Sequence, residues 1–186
     1  MDHPYPALSG AFARYALRFP GEPDLARFDD WLREQPQPFH RETRTGHFTG
    51  SAWLVSADGE RVLLMHHRKL RRWLQLGGHA DGNADLASVA LREAEEESGL
   101  TGLHVLPEIF DMDLHVIPAR RDEPEHWHYD VRYVVVAGGS EAFTVNEESL
   151  DLAWRPVAEL AVDPATDPSL RRMAAKWLAR DQPAPL

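Results

Sequence analysis

Residues 92–100 read Arg92-Glu93-Ala94-Glu95-Glu96-Glu97-Ser98-Gly99-Leu100, and the fold turns on how this stretch is read. Spacing of i, i+3 and i+4 puts Glu93, Glu96 and Glu97 on one helical face, where like charges repel. Gly99 is a natural helix stop, so the three acids fall in the last two turns, where the macrodipole is already negative. Nothing local favours that arrangement. A hard divalent cation does, because Mg2+ or Mn2+ takes oxygen ligands and is commonly held by a few carboxylates together with substrate phosphates. Acid-rich helix ends are also common as plain solvated faces, so the flanking residues decide between the two.

Upstream, Gly77-Gly78 follows a hydrophobic run, and Arg92 stands directly before the acids. Residues 78–100 resemble the Nudix box, whose pattern is Gly, five residues, Glu, seven residues, then Arg-Glu-aliphatic-any-Glu-Glu-any-Gly-aliphatic. Gly78, Arg92, Glu93, Ala94, Glu96, Glu97, Gly99 and Leu100 fall in register, and Ala84 stands where the pattern has its first Glu. The resemblance implies a loop-helix-loop whose Glu face binds Mg2+ or Mn2+ and whose reaction is hydrolysis of a nucleoside diphosphate linked to another group. By position, Glu93, Glu96 and Glu97 become metal ligands, the Gly78 carbonyl a further ligand, and Arg92 the residue that orients a carboxylate. Asp81 and Asp85 are near enough in sequence to substitute in part for the Glu missing at Ala84.

The remaining composition sets bounds. Length of 186 residues suits one domain with an appendage. Thirty acidic against twenty basic side chains give a formal charge of −10, which argues against binding a nucleic-acid backbone, since that affinity comes from neutralising phosphates. A small diphosphate carried in with its metal remains compatible. With no cysteine, disulfides, thiolate metal sites and a cysteine nucleophile are excluded. The first twenty residues lack the pattern of a secretory signal, and no stretch approaches a membrane span, so a cytoplasmic location is expected.

Apolar residues at helical spacing predict helices over residues 9–17 and 23–32, separated at Phe19-Pro20-Gly21. Residues 1–45 thus read as a helical N-terminal extension, used for packing or for a homodimer contact, and residues 46–186 as the Nudix domain with its C-terminal helix. Strands are predicted over 51–55 and 61–65 around Asp58-Gly59, over 103–117 despite Pro107, over 129–137, and over 150–155. An amphipathic helix over 169–179 closes the chain. This order predicts an α/β/α sandwich with a mixed sheet, the Nudix fold.

Further chemistry surrounds the box. His66-His67-Arg68-Lys69-Leu70-Arg71-Arg72 supplies cations ahead of the glycines; Lys69 and Arg72 are the candidates for gripping a diphosphate opposite its metal. In His126-Trp127-His128-Tyr129-Asp130, alternate residues of a strand share a face, so two imidazoles and a carboxylate converge. Gly-Gly-His79-Ala-Asp-Gly is similar to the loop of isopentenyl-diphosphate isomerases, which share the Nudix fold and hold a second metal with a His after the corresponding loop cysteine. His79, His128 and Asp130 therefore become candidates for a second metal site or a phosphate clamp. Glu147 and Glu148 are the candidates for a carboxylate recruited from outside the box, and Trp127, Tyr129 and Phe110 for stacking on a base.

The leading reading is a metal-dependent pyrophosphohydrolase in which Glu93, Glu97 or a member of the Glu147-Glu148 pair takes the proton of the attacking water. A prenyl-diphosphate isomerase is a second reading, opposed by Gly77 standing where that chemistry needs a cysteine. A ligand-sensing Nudix domain without catalysis is a third, opposed by the intact glutamates.

Overall fold

The computed structural model describes residues 3–120, 123–145 and 149–180. Helices α1 (Pro6–Arg18) and α2 (Leu25–Glu34) precede strands β1 (Gly46–Val55), β2 (Arg61–His67), β3 (Trp73–Leu74) and β4 (Leu76–His79). Helix α3 (Leu86–Ser98) follows, then β5 (Leu103–Ile117), β6 (His126–Ala137), β7 (Ser149–Pro156), α4 (Val157–Val162) and α5 (Pro168–Ala179). The sheet runs β3-β2-β1-β6-β5, with β4 paired to β1 and β7 to β2. β1 and β6 are parallel and the other pairs antiparallel, so the sheet is mixed.

β1 is buried along its whole length, and its residues divide by parity, as a strand requires. Phe48, Ala52 and Leu54 enter one core with Val89, Ala90 and Ala94 of α3 and with Phe12, Phe28 and Leu32 of α1 and α2. Trp53 and Val55 enter the opposite core with Val157, Leu160, Leu170, Met173 and Trp177 of α4 and α5. The sheet is thus the middle layer of an α/β/α sandwich. The N-terminal helices bury Phe12 and Phe28 beside Phe48 and Tyr129 in edge and stacked ring contacts, while Leu17 of α1 stays exposed.

Helix α3 starts and stops where its residues dictate. Asp85 is its N-cap, accepting from the Ser88 N–H at 3.2 Å. Gly99 ends it in the left-handed conformation at φ 69°, its N–H reaching the Glu95 carbonyl. Leu86, Val89, Ala90 and Ala94 form the buried stripe. Gly50 of β1 lies under that stripe, where a Cβ would sit 2.8 Å from Val89 Cγ1 and 2.9 Å from the Leu86 carbonyl oxygen. The missing side chain lets the helix rest directly on the strand.

Two local features modify the expected pattern. β5 runs through Pro107 because pairing with β6 is irregular between Val105 and Ile109; a residue without an N–H is tolerated where the ladder is interrupted. β1 leaves its hairpin partner after the register Val55↔Val62, and β4 takes that edge, pairing Gly78 with Gly50 and Gly77 with Ser51. This exchange brings the two glycines beneath α3.

Candidate active site

Glu93 and Glu97, one turn apart on α3, point back at β4. The Glu97 carboxylate is 5% exposed and accepts the Gly77 N–H at 2.8 Å. Glu93 lies against Gly78, where any Cβ would be 2.5 Å from its carboxylate, so only glycine leaves room for that acid. Glu96 turns outward, with a side chain 61% exposed. Arg92 ties the group together: its guanidinium meets Glu93 at 2.8 Å and Glu96 at 3.2 Å and donates to the His79 carbonyl at 3.0 Å. Two inward carboxylates beside the backbone of a glycine pair form an oxygen-rich cradle of the kind a hard divalent cation takes. The donor set fits a hard divalent cation.

The profile of the NUDIX domain family matches residues 47–177, most of the chain. The chain belongs to the Nudix family. A search of curated proteins finds no match. Among solved structures it is similar to a NUDIX-family hydrolase from Clostridium perfringens, at 23% identity and TM-score 0.54, with 71% of this chain and 95% of that one covered. A C. elegans Ap4A hydrolase in a binary complex aligns at 15% identity and TM-score 0.59, covering 71% and 95%. The E. coli dihydroneopterin triphosphate pyrophosphohydrolase aligns at 15% and 0.53, covering 69% and 92%. These likenesses concern the fold.

Around the Nudix helix, several residues singled out in the sequence have other partners. Asp81 binds Arg41 through two hydrogen bonds of 2.7 and 2.6 Å and also feels the charge of Arg92, while Asp85 is the helix cap. Arg72 lies 3.5 Å from Asp167, at the start of α5 on the other side of the sheet from α3. Lys69 is exposed in the turn after β2, its N–H donating to His67 Nδ1. Glu147 and Glu148 lie outside the described residues. Tyr129 is buried and stacked on Trp31, Phe110 is buried against Trp53 and Trp177, and Trp127 carries the Arg27 guanidinium over its ring; these three rings are packed or covered rather than open to a base.

On the opposite face of β4 from Glu93, the Nudix sheet carries imidazoles. His79 and His128 do meet, with ring centroids 5.3 Å apart, but Asp130 does not join them. Its carboxylate accepts from Thr49 at 2.9 Å, Ser51 at 2.7 Å and Arg132 Nε at 2.7 Å, because the buried Arg132 guanidinium requires counter-charge. The group is instead completed by His47 of β1, 5.0 Å from His79 and from His126 and 4.8 Å from His128, and by His115, 5.5 Å from His128. His126 was legible from its alternation with His128. His47 was not, because only the parallel register His47↔His128 brings it there.

Burial, with the neighbouring imidazoles His79 and His126, lowers the His47 pKa to about 4. His128 is lowered by burial and then by His47, His115, His79 and His126. His79 is lowered by burial and by Arg41. These rings are held neutral, the form in which imidazole binds metals.

Proposed function

We propose that the chain hydrolyses the diphosphate linkage of a nucleoside diphosphate joined to another group, or of a similar small molecule, with Mg2+ or Mn2+. The observation that carries this reading is the buried Glu97 carboxylate fixed on the Gly77 N–H, one turn from Glu93 against Gly78. A hard divalent cation takes carboxylate oxygens of this kind, and Glu93, one turn away, supplies a second. Glu93, Glu96, Glu97 and the Gly78 carbonyl would hold the ion. When bound, the cation neutralises the diphosphate and makes its phosphorus a better electrophile.

The chain's own residues supply the rest. Arg92 holds Glu93 in place by pairing with it while anchored on the His79 carbonyl. Glu93 or Glu97 accepts the proton of the attacking water, with Glu148 an additional candidate. Lys69, exposed in the turn after β2, is a candidate cation for a bound phosphate. Two of the structural neighbours are named for this kind of substrate, Ap4A and dihydroneopterin triphosphate. No helix among the described residues is long and apolar enough to cross a membrane.

A panel of nucleoside triphosphates, dinucleotides, nucleotide sugars and non-nucleotide diphosphates, assayed with Mg2+ and with Mn2+, tests the proposal. Products should show cleavage between two phosphorus atoms. Absence of cleavage across the panel with both metals, or release of inorganic phosphate from monoesters instead, would count against it.

A further inference from the structure

The geometry points to a second metal centre, in which His47, His126 and His128 bind a first-row transition ion of the zinc class, separate from the glutamates of α3. One ligand nitrogen from each of these imidazoles can be chosen so that all lie within 4.8 Å of one another. The Nε2 atoms of His126 and His128 are 3.2 Å apart. A tetrahedral ion with metal–nitrogen bonds of about 2.0–2.1 Å sets its ligands about 3.4 Å apart, so this pair already has the spacing of two ligands. His47 of β1 completes the group, with a ring nitrogen within 4.8 Å of the other two.

Hydrogen bonding orients the donors. His126 Nδ1 lies 2.9 Å from the Pro124 carbonyl, which can only accept, so Nδ1 carries the proton and Nε2 presents its lone pair to His128. This is the arrangement by which a carbonyl fixes the tautomer of a metal-ligating histidine. His47 is 1% exposed and both of its ring nitrogens are buried, with the Thr43 backbone near enough to favour its protonated form. Buried polar atoms are stabilised by a partner, and an ion at the centre of the cluster gives a His47 nitrogen a strong one.

Chemistry and topology set this site apart from the carboxylate cradle. Asp130 and Asp113 are engaged by Arg132, and among the described residues the group that could hold an ion here consists of imidazoles. That ligand set suits Zn2+, Co2+, Ni2+ or Fe2+ and is a poor match for Mg2+. Successive residues of β4 face opposite ways, Gly78 toward Glu93 and His79 toward the imidazoles. The inference therefore stands whether or not the chain hydrolyses a diphosphate.

The full-length protein, stripped with chelator and held in excess Mg2+, is titrated with Co2+ as a spectroscopic probe. One equivalent should produce visible ligand-field bands and at least three paramagnetically shifted, exchangeable imidazole N–H resonances in proton NMR. His128→Ala and His47→Ala should each weaken binding by at least about a hundredfold, more than the loss of an outer-shell partner causes, whereas Glu97→Gln should leave the bands in place. The NMR signals of the unaltered protein decide the matter even if a variant fails to fold. Fewer than three shifted imidazole resonances, or bands abolished by Glu97→Gln but not by His128→Ala, would overturn the assignment.

Discussion

Replacing Gly50 with alanine tests whether the seating of α3 on β1 governs the carboxylates. The new Cβ would lie 2.8 Å from Val89 Cγ1, 2.9 Å from Val89 Cβ and 2.9 Å from the Leu86 carbonyl oxygen. Ordinary carbon contacts are about 3.5–4.0 Å, so the helix must lift by roughly 0.7–1 Å. Overpacking of this kind costs about 1–3 kcal/mol, which for a chain of this size lowers the melting temperature by roughly 2–12 °C. Glu93 and Glu97 ride on the same helix, and a displacement of about 1 Å at a reacting group can cost on the order of a hundredfold in rate. Thermal unfolding and turnover per folded molecule are the two measurements. Adding Val89→Ala removes only the Cγ1 contact and should restore stability in part. If Gly50→Ala lowers the melting temperature but leaves turnover intact, the link from helix seating to site geometry fails; if it changes neither, the close approach itself is wrong.

Three further outcomes are expected. Glu97→Gln should fold yet lose at least about a hundredfold in turnover, because an amide binds a hard cation poorly; steady-state kinetics over a Mg2+ series checks this, and near-full activity refutes it. Arg92→Lys should fail to restore the activity lost in Arg92→Ala, since Arg92 uses its planar fork on Glu93, Glu96 and the His79 carbonyl at once; rescue by lysine would reduce its role to charge. Stability of the metal-free protein should fall in two stages on acidification. Buried His47, held at about 4 against an ordinary 6.5, contributes stability that is present above pH 6.5 and lost toward pH 4, about 3 kcal/mol for this ring alone, and His79 and His128, also lowered by burial, add losses of the same sign below pH 6.5. For Asp111, burial raises the pKa but hydrogen bonding from Arg172 and the charges of Arg132, Arg172 and Lys176 prevail and lower it. Its contribution is present above 3.8 and lost as pH falls through its depressed value. A melting temperature flat from pH 7 to 4 would refute the first stage.

What the sequence by itself determined is local and periodic. The helix bearing the glutamates and the parity of His126, His128 and Asp130 follow from spacings of two, three and four residues, the stop at Gly99 and the turn at Asp58-Gly59 from residue type, and the mixed sandwich from the order of elements. Gly78 was legible as well, through the box pattern. The tertiary structure alone decided what those groups touch. Parallel pairing of β1 with β6 delivered His47 to His128, while the demand of buried Arg132 for counter-charge drew Asp130 away from the imidazoles. Arg72 went to Asp167 and Tyr129 to Trp31, contacts made by elements distant in the chain. The physical reason is that backbone periodicity fixes the direction in which a side chain points, whereas its partner is chosen by long-range packing and by the electrostatics of burial, which no short stretch of sequence contains.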